Sequence, residues 1–268
     1  ALGLSADLFA KSQTLIEHPH GMFLVCGPTG SGKSTTLYAM LGCVNALEKK
    51  VITVEDPVEY QIPMVRQVQV HSEIGMTFGA ALRSILRQDP DVILIGEIRD
   101  QETAQIGVRA ALTGHFVFST LHTNTSAGVI PRLIDMGIDP FLLKSSLCGV
   151  LAQRLVRRIC DRCKVEYKPT AEEIASVDSE LRPLIKSLWK GAGCDRCRKT
   201  GYSGRVGIHE LLAVSPNLRA IDWRTADDSC LRAIAAADGF RPLSFDGELK
   251  ALAGQTTLAE VRRVAQDI

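Results

Sequence analysis

Short apolar runs alternate along the first half of the chain with segments whose apolar residues recur at helical spacing. The runs are Gly21–Cys26, Val51–Val54, Val92–Ile95 and Phe116–Ser119, and the helical patterns fall at Ser34–Cys43, Thr77–Gln88, Gln101–Leu112 and Ser126–Met136. Strand and helix in alternation predict right-handed crossovers and a mostly parallel sheet covered by helices. From Pro140 to Arg158 the apolar positions again recur at helical spacing, which predicts a helix carrying the chain out of this layer. Residues 160–200 show little periodicity. Residues 205–268 return to short helices at Ser229–Ala237 and Thr257–Asp267, with a strand at Gly207–Leu211.

Composition sharpens this picture. The 268 residues are 46% apolar but only 5% aromatic, so the core must be built from aliphatic side chains, which suits a parallel sheet buried on both faces. No apolar run approaches the ~18 residues that span a bilayer, and no stretch reads as a secretory signal, so a soluble cytoplasmic chain is expected. Thirty-one Lys and Arg against 30 Asp and Glu leave net +1, which offers no large field for steering onto nucleic acid or an acidic membrane. The chain starts at Ala1 rather than Met, and its first motif lies within the first 35 residues, which suggests a domain upstream.

That motif is Gly27-Pro28-Thr29-Gly30-Ser31-Gly32-Lys33-Ser34, followed by Thr35. It matches G-x-x-x-x-G-K-[ST] and sits between a predicted strand and a predicted helix, where a P-loop has to sit. Its glycines let backbone N–H groups curl around a phosphate, Lys33 reaches the β/γ oxygens, and Ser34 presents a hydroxyl to Mg²⁺. No N/T-K-x-D guanine reader occurs, so ATP is the expected nucleotide. Carboxylates at the ends of the next strands are the candidates for holding metal and activating water: Glu55, Asp56 and Glu59 after one strand, Glu97 after another. Each also reads as a helix cap or a solvated loop charge. His115 and His122 flank the strand at Phe116–Ser119, and His122 lies at its ligand end, as a γ-phosphate sensor or a structural histidine. Arg83 and Arg87 are four apart on one face of the predicted helix, opposite Leu82, Ile85 and Leu86. They read either as a solvated face or as cations aimed at phosphate.

Four segments together, GPTGSGKSTTLYAML, ITVEDPVEY, RQDPDVILIGEIRD and TGHFVFSTLHTN, resemble the type II secretion and type IV pilus assembly ATPases over roughly residues 1–265. The resemblance implies a RecA-like P-loop core working as a hexameric ring, with ATP held between this core and a half of the motor that precedes residue 1. By motif position it gives Lys33 and Ser34 to phosphate and Mg²⁺, Glu59 to water activation, Glu97 to the Walker B position and His122 to a sensor. Arg83, Arg87 and Arg99 resemble arginines that face phosphates or neighbouring subunits. Walker B ends Gly96-Glu97 where many P-loop enzymes have Asp-Glu. Partners implied are a membrane platform protein and the secretion or pilus machinery, with the motor cytoplasmic and peripheral at the inner membrane.

Cys160-x-x-Cys163 and Cys194-x-x-Cys197 form two pairs whose knuckles can each present two thiolates to one tetrahedral Zn²⁺. Four sulfurs leave no open position, so the site is expected to be structural, and residues 160–200 are expected to depend on it. Cys26, Cys43, Cys148 and Cys230 read as small core residues. In the family that the chain resembles, retraction motors generally lack such a four-cysteine insertion and assembly motors generally have it, so the resemblance implies an assembly motor. Arg154, Arg157, Arg158, Arg162 and Lys164 cluster around the first pair, as a solvated face or a docking patch for the platform or anionic lipid. The expected division is a RecA-like core at 1–158, a tetracysteine module at 159–203 and a mostly helical region at 204–268. The expected function is Mg²⁺-dependent ATP hydrolysis driving pseudopilus or pilus assembly. The alternative is a nucleotide-gated scaffold with little turnover, and near-zero net charge gives a DNA translocase no support.

Overall fold

A computed structural model describes residues 2–265. The end of the expected helix Thr257–Asp267 lies outside the described residues. The elements in chain order are α1 (Ala6–Ile16), β1 (Gly21–Cys26), α2 (Lys33–Leu41), β2 (Val51–Glu55), β3 (Arg66–Gln69), α3 (Phe78–Leu86), β4 (Val92–Ile95), α4 (Gln101–Leu112), β5 (Phe116–Leu121), α5 (Val129–Asp135) and α6 (Pro140–Ser146). They continue with β6 (Leu147–Ile159), β7 (Lys164–Tyr167), α7 (Ala171–Ala175), β8 (Leu188–Gly191), β9 (Tyr202–Ala213), α8 (Pro216–Ala220), α9 (Asp228–Ala237), α10 (Leu243–Leu252) and α11 (Leu258–Ala265).

Among the described residues, 7–152 and 211–240 form the larger of two compact units; 2–6, 153–210 and 241–265 form the other. The seven-stranded sheet runs β3-β2-β4-β5-β1-β6-β9, with β1 parallel to both β5 and β6 and β4 parallel to β2 and β5. β1, β2, β4 and β5 are buried at every position, which is why they read as unbroken apolar runs. Two helices that flank the site start where side chains satisfy their first N–H groups. Thr77 accepts from Ala80 N–H ahead of α3, and Asp100 accepts from Thr103 N–H ahead of α4. This is the α/β, mostly parallel P-loop core expected from the sequence.

The single helix expected over Pro140–Arg158 is not formed. α6 ends at Ser146, Leu147 turns to extended backbone, and β6 runs for 13 residues. Val25 and Cys26 of β1 lie in register with Leu151 and Ala152. The apolar spacing that suits a helix also suits a buried strand, and here the sheet supplies partners for its backbone groups. Gly149 was the local signal against helix: a Cβ there would lie 2.8 Å from Leu15 Cδ1 and 3.3 Å from Leu212 O.

In the other unit, β7 and β8 pair antiparallel. Val177, Leu181 and Leu188 bury against Ala251, Leu258 and Val261, with Tyr167, Ile185, Phe245 and Leu252 around them. The stretch between the cysteine pairs thus has an apolar core of its own with α10 and α11, so it does not depend on metal alone. No helix among the described residues is long and apolar enough to cross a membrane.

Candidate functional site

β1 delivers the chain to Gly27, and α2 opens at Lys33. Gly30 and Gly32 sit at φ 78° and 87°, a left-handed backbone that side-chain residues avoid, and so turn the chain between strand and helix. Lys33 is buried, and its Nζ donates to the carbonyls of Gly27 at 2.9 Å and Pro28 at 3.1 Å, which lays its charge over the loop. Ser34 and Thr35 are exposed in the first turn of α2. Helix N–H groups and the macrodipole favour an anion there. Gly27, Pro28, Thr29, Gly30, Ser31 and Gly32 complete the cradle.

The ends of β4 and β5 bring two of the expected residues together. Gly96 N–H donates to Val54 O at 2.8 Å and Ile98 N–H to Thr120 O at 3.0 Å, so the backbone on both sides of Glu97 is pinned to neighbouring strands. The Glu97 carboxylate is 14% exposed, pairs with Arg99 and lies 3.5 Å from Nε2 of His122. Glycine stands at 96 for a packing reason. A Cβ there would lie 3.3 Å from both Glu55 Cα and Val54 O, tighter than ordinary contact. His115 is held apart from this group, its Nδ1 3.1 Å from Ala110 O.

Of the acids after β2, Glu55 and Glu59 differ in surroundings. Glu55 is buried, and its carboxylate accepts hydrogen bonds from the hydroxyls of Tyr38 and Thr53 and from Gln67 Nε2. Glu59 is exposed, and its backbone N–H donates to the Tyr38 hydroxyl at 3.4 Å. Arg83 and Arg87 are exposed on α3 while Leu82 and Ile85 are buried, as the spacing predicts. Arg83 pairs with Glu102 of α4, and Arg87 closes the C-terminus of α3.

In the other unit the four cysteines Cys160, Cys163, Cys194 and Cys197 converge. The Cys160–Cys194, Cys163–Cys197 and Cys194–Cys197 sulfurs are 3.9, 3.8 and 3.7 Å apart. A tetrahedral ion with metal–sulfur bonds of about 2.3 Å sets its sulfurs about 3.8 Å apart, so the donor set fits one such ion. The Cys194 N–H donates to Cys197 Sγ at 3.2 Å and lowers that thiol to about 6 against its burial; Gly201 N–H adds to this from 3.3 Å. Burial pushes the Cys163 thiol up to about 12. The backbone thus favours the thiolate at Cys197, and the four sulfurs together are a donor set that could hold one cation. Gly191 and Gly201 let the second knuckle close, since a Cβ on Gly191 would meet Gly201 O at 2.0 Å.

Of the remaining cysteines, Cys26 and Cys148 are buried but Cys43 and Cys230 are exposed, one in the turn after α2 and the other in the first turn of α9. The basic cluster is largely spent inside its unit. Arg157 pairs with buried Glu260 and stacks 4.2 Å from the Tyr202 ring, Arg158 pairs with Asp161 at 2.7 Å, and Lys164 lies 4.4 Å over Trp189. Sequence reasoning missed Tyr38, Thr53 and Gln67. The available signal was a tyrosine on the inward face of the P-loop helix, because a buried phenol needs a polar partner.

Residues 1–263 match the family described as "Type II/IV secretion system protein". The chain belongs to this family. It is 50% identical over 266 residues to "Type II secretion system protein HxcR" of Pseudomonas aeruginosa, covering 99% of this chain and 53% of that protein. It is 50% identical over 268 residues to "Type II secretion system ATPase E" of Vibrio cholerae, covering 100% of this chain and 53% of that protein. It is 49% identical over 261 residues to "Type IV pilus assembly ATPase PilB" of Thermus thermophilus, covering 97% of this chain and 29% of that protein. The chain thus spans about half the length, or less, of these curated relatives. Among solved structures, that of the pilus retraction motor PilT with bound ADP superposes with a TM-score of 0.72 at 30% identity, covering 100% of this chain and 67% of that one. The ATPase DotB of Legionella pneumophila shares the fold at 21% identity, with a TM-score of 0.69 over 100% of this chain and 64% of that one.

Proposed function

We propose that this chain is the ATP-hydrolysing part of a motor for type II secretion or type IV pilus assembly. The observation that carries the reading is Glu97 and His122 meeting at 3.5 Å on neighbouring strand ends of a sheet whose β1–α2 turn is a P-loop. In this reading Lys33 and the loop from Gly27 to Thr35 hold the phosphates, and Ser34 with Glu97 holds Mg²⁺. Glu59, exposed after β2, takes the proton of the attacking water, and His122 senses the γ-phosphate beside Glu97. Zn²⁺ on Cys160, Cys163, Cys194 and Cys197 would be structural, since four thiolates leave no position open to water. The functional segments proposed are 1–158 for nucleotide, 159–203 for metal and 204–268 as a helical support.

The working form proposed is a hexameric ring on the cytoplasmic side of the inner membrane, docked to a platform protein. Arg83 and Arg87 serve it as cations for phosphate, in the same or a neighbouring subunit, and Arg83 would have to leave Glu102 to do so. Steady-state hydrolysis and ATP affinity, measured with and without Mg²⁺, test the reading. Lys33→Ala should lose both, whereas Glu59→Gln should keep affinity and lose turnover. Equal loss of binding in the two variants would remove the role given to Glu59. Tight ATP binding by wild type without turnover in the assembled ring would instead favour the nucleotide-gated scaffold.

A further inference from the structure

The loop that carries Glu59 is not free. Val58 N–H donates to Gln69 Oε1 at 3.4 Å, and the loop's other side-chain tethers lead back to one buried carboxylate. Glu59 N–H donates to the Tyr38 hydroxyl at 3.4 Å, and that hydroxyl in turn donates to Glu55. Gln67 donates from Nε2 both to Glu55 at 3.2 Å and to Tyr60 O at 3.1 Å, while its Oε1 accepts from Ile62 N–H at 2.7 Å. The Tyr60 ring meets the Tyr38 ring edge-on, with centroids 4.6 Å apart. Thr53 donates a third hydrogen bond to Glu55 from 2.5 Å.

Donor and acceptor capacity gives this network a direction. The Tyr38 hydroxyl has a single proton and donates it to Glu55, so its lone pairs are left to face the Glu59 amide. Burial, with Glu55 alongside, pushes the Tyr38 phenol above its ordinary range, so that proton stays in place at neutral pH. Tyr38 stands on α2, the helix that opens at Lys33, and Glu55 ends β2. The P-loop helix and the acidic loop are therefore joined through one hydroxyl.

We infer that Tyr38, braced by Glu55, is a positioning residue for hydrolysis: it fixes the Glu59 loop to the P-loop helix, so that phosphate cradle and water-activating carboxylate keep a constant spacing. The inference rests on the proposed role of Glu59. A misplacement of the order of 1 Å in a reacting group costs about 10²-fold in rate, and a long amide-to-hydroxyl bond is a minor contributor to stability but a direct constraint on that spacing.

The test is Tyr38→Phe, which keeps the ring and its contact with Tyr60 and removes only the oxygen. Turnover and KM for ATP are measured on the assembled full chain, alone and in a Glu59→Gln background. The expected result is a fall in kcat of about 10- to 100-fold with KM within about twofold, and no further fall when Glu59 is already Gln. Gln67→Leu, which cuts the second tether, should lower kcat in the same sense by a smaller factor. Wild-type kcat in Tyr38→Phe, with Glu59→Gln inactive, overturns this inference and leaves the functional reading standing. The same proportional loss in both backgrounds also overturns it, because Tyr38 would then act independently of Glu59. Full turnover in Glu59→Gln overturns both.

Discussion

The strand ends of the larger unit and the cysteine knuckles of the other use backbone N–H groups in opposite ways. At Glu97 the flanking N–H groups of Gly96 and Ile98 bond to neighbouring strands, which fixes the Cα positions and leaves the side chains partly open. At the knuckles the N–H groups of Cys194 and Cys197's neighbour in space, Gly201, point at sulfur itself. The first arrangement holds the backbone while leaving the side chains accessible, as a site that admits and releases a ligand would require. The second spends backbone and side chain together on one closed set of donors. In the proposed reading, the hydrolytic site and the structural metal site differ in where their amides go.

The largest effect that could break this contrast is metal removal. Structural zinc contributes about 10–16 kcal/mol to folding in small zinc-finger peptides. Chelation should therefore strip amide protection from Cys160–Cys163 and Cys194–Gly201, while Val177, Leu181 and Leu188 keep theirs on the α10–α11 core. Hydrogen exchange read residue by residue checks this. Protection unchanged at the knuckles would mean that the sulfurs need no ion.

Lys33→Ala should reduce turnover by at least about 10²–10³-fold, the scale of losing one preorganised charge stabiliser, without lowering the melting temperature. Loss of stability as well would mean that its bonds to Gly27 and Pro28 hold the fold as well as a ligand. Glu260→Ala probes the closed unit in a way that leaves the thiols alone. Burial acts to raise this carboxyl, and the hydrogen bonds from Arg263 and Arg157 overcome it and hold it at about 2. Both guanidiniums are at least half exposed, so we expect about 1–2 kcal/mol by urea unfolding, below the about 3–5 kcal/mol for a fully buried pair. A change within error would show that the arginines find water instead.

Gly96→Ala tests the strand-end packing, where the added methyl presses on Glu55 Cα and Val54 O. The expected cost is about 1–3 kcal/mol in thermal unfolding, with a fall in kcat because Glu97 shifts. Unchanged kcat would show that the backbone at Glu97 has room to adjust. The smallest effect is pH dependence in the other unit. Burial pushes the His209 imidazole below its ordinary value, against the pull of Asp246. The unfolded chain then binds the proton first, so stability present at neutral pH is lost as pH falls below about 6.5, by at most about 1.4 kcal/mol per pH unit. His209→Phe should flatten the urea midpoint between pH 7.5 and 5.5 (about one unit either side of that value). An equal slope in both proteins assigns the loss to other groups.

Local spacing determined much of this molecule. The P-loop needs its glycines, lysine and hydroxyls within nine consecutive positions, Gly27 to Thr35, and each knuckle needs two cysteines three apart, so both can be read along the chain. Buried parallel strands announce themselves as apolar runs, and β1, β2 and β4 fall where those runs lie. Other features depended on partners far away in sequence. Leu147–Ile159 is a strand because β1 lies beside it to pair its backbone, although its apolar pattern suits a helix equally well. Arg83 meets Glu102, and Arg157 meets Glu260, across separations that no spacing rule encodes. By strand-end position alone, Glu55, Asp56 and Glu59 are equal candidates, and only the family resemblance singles out Glu59. Only the packing of Tyr38 and Gln67 around one of them buries Glu55 as an anchor and leaves Glu59 exposed, because burial and hydrogen-bond partners are properties of the folded neighbourhood rather than of the residue.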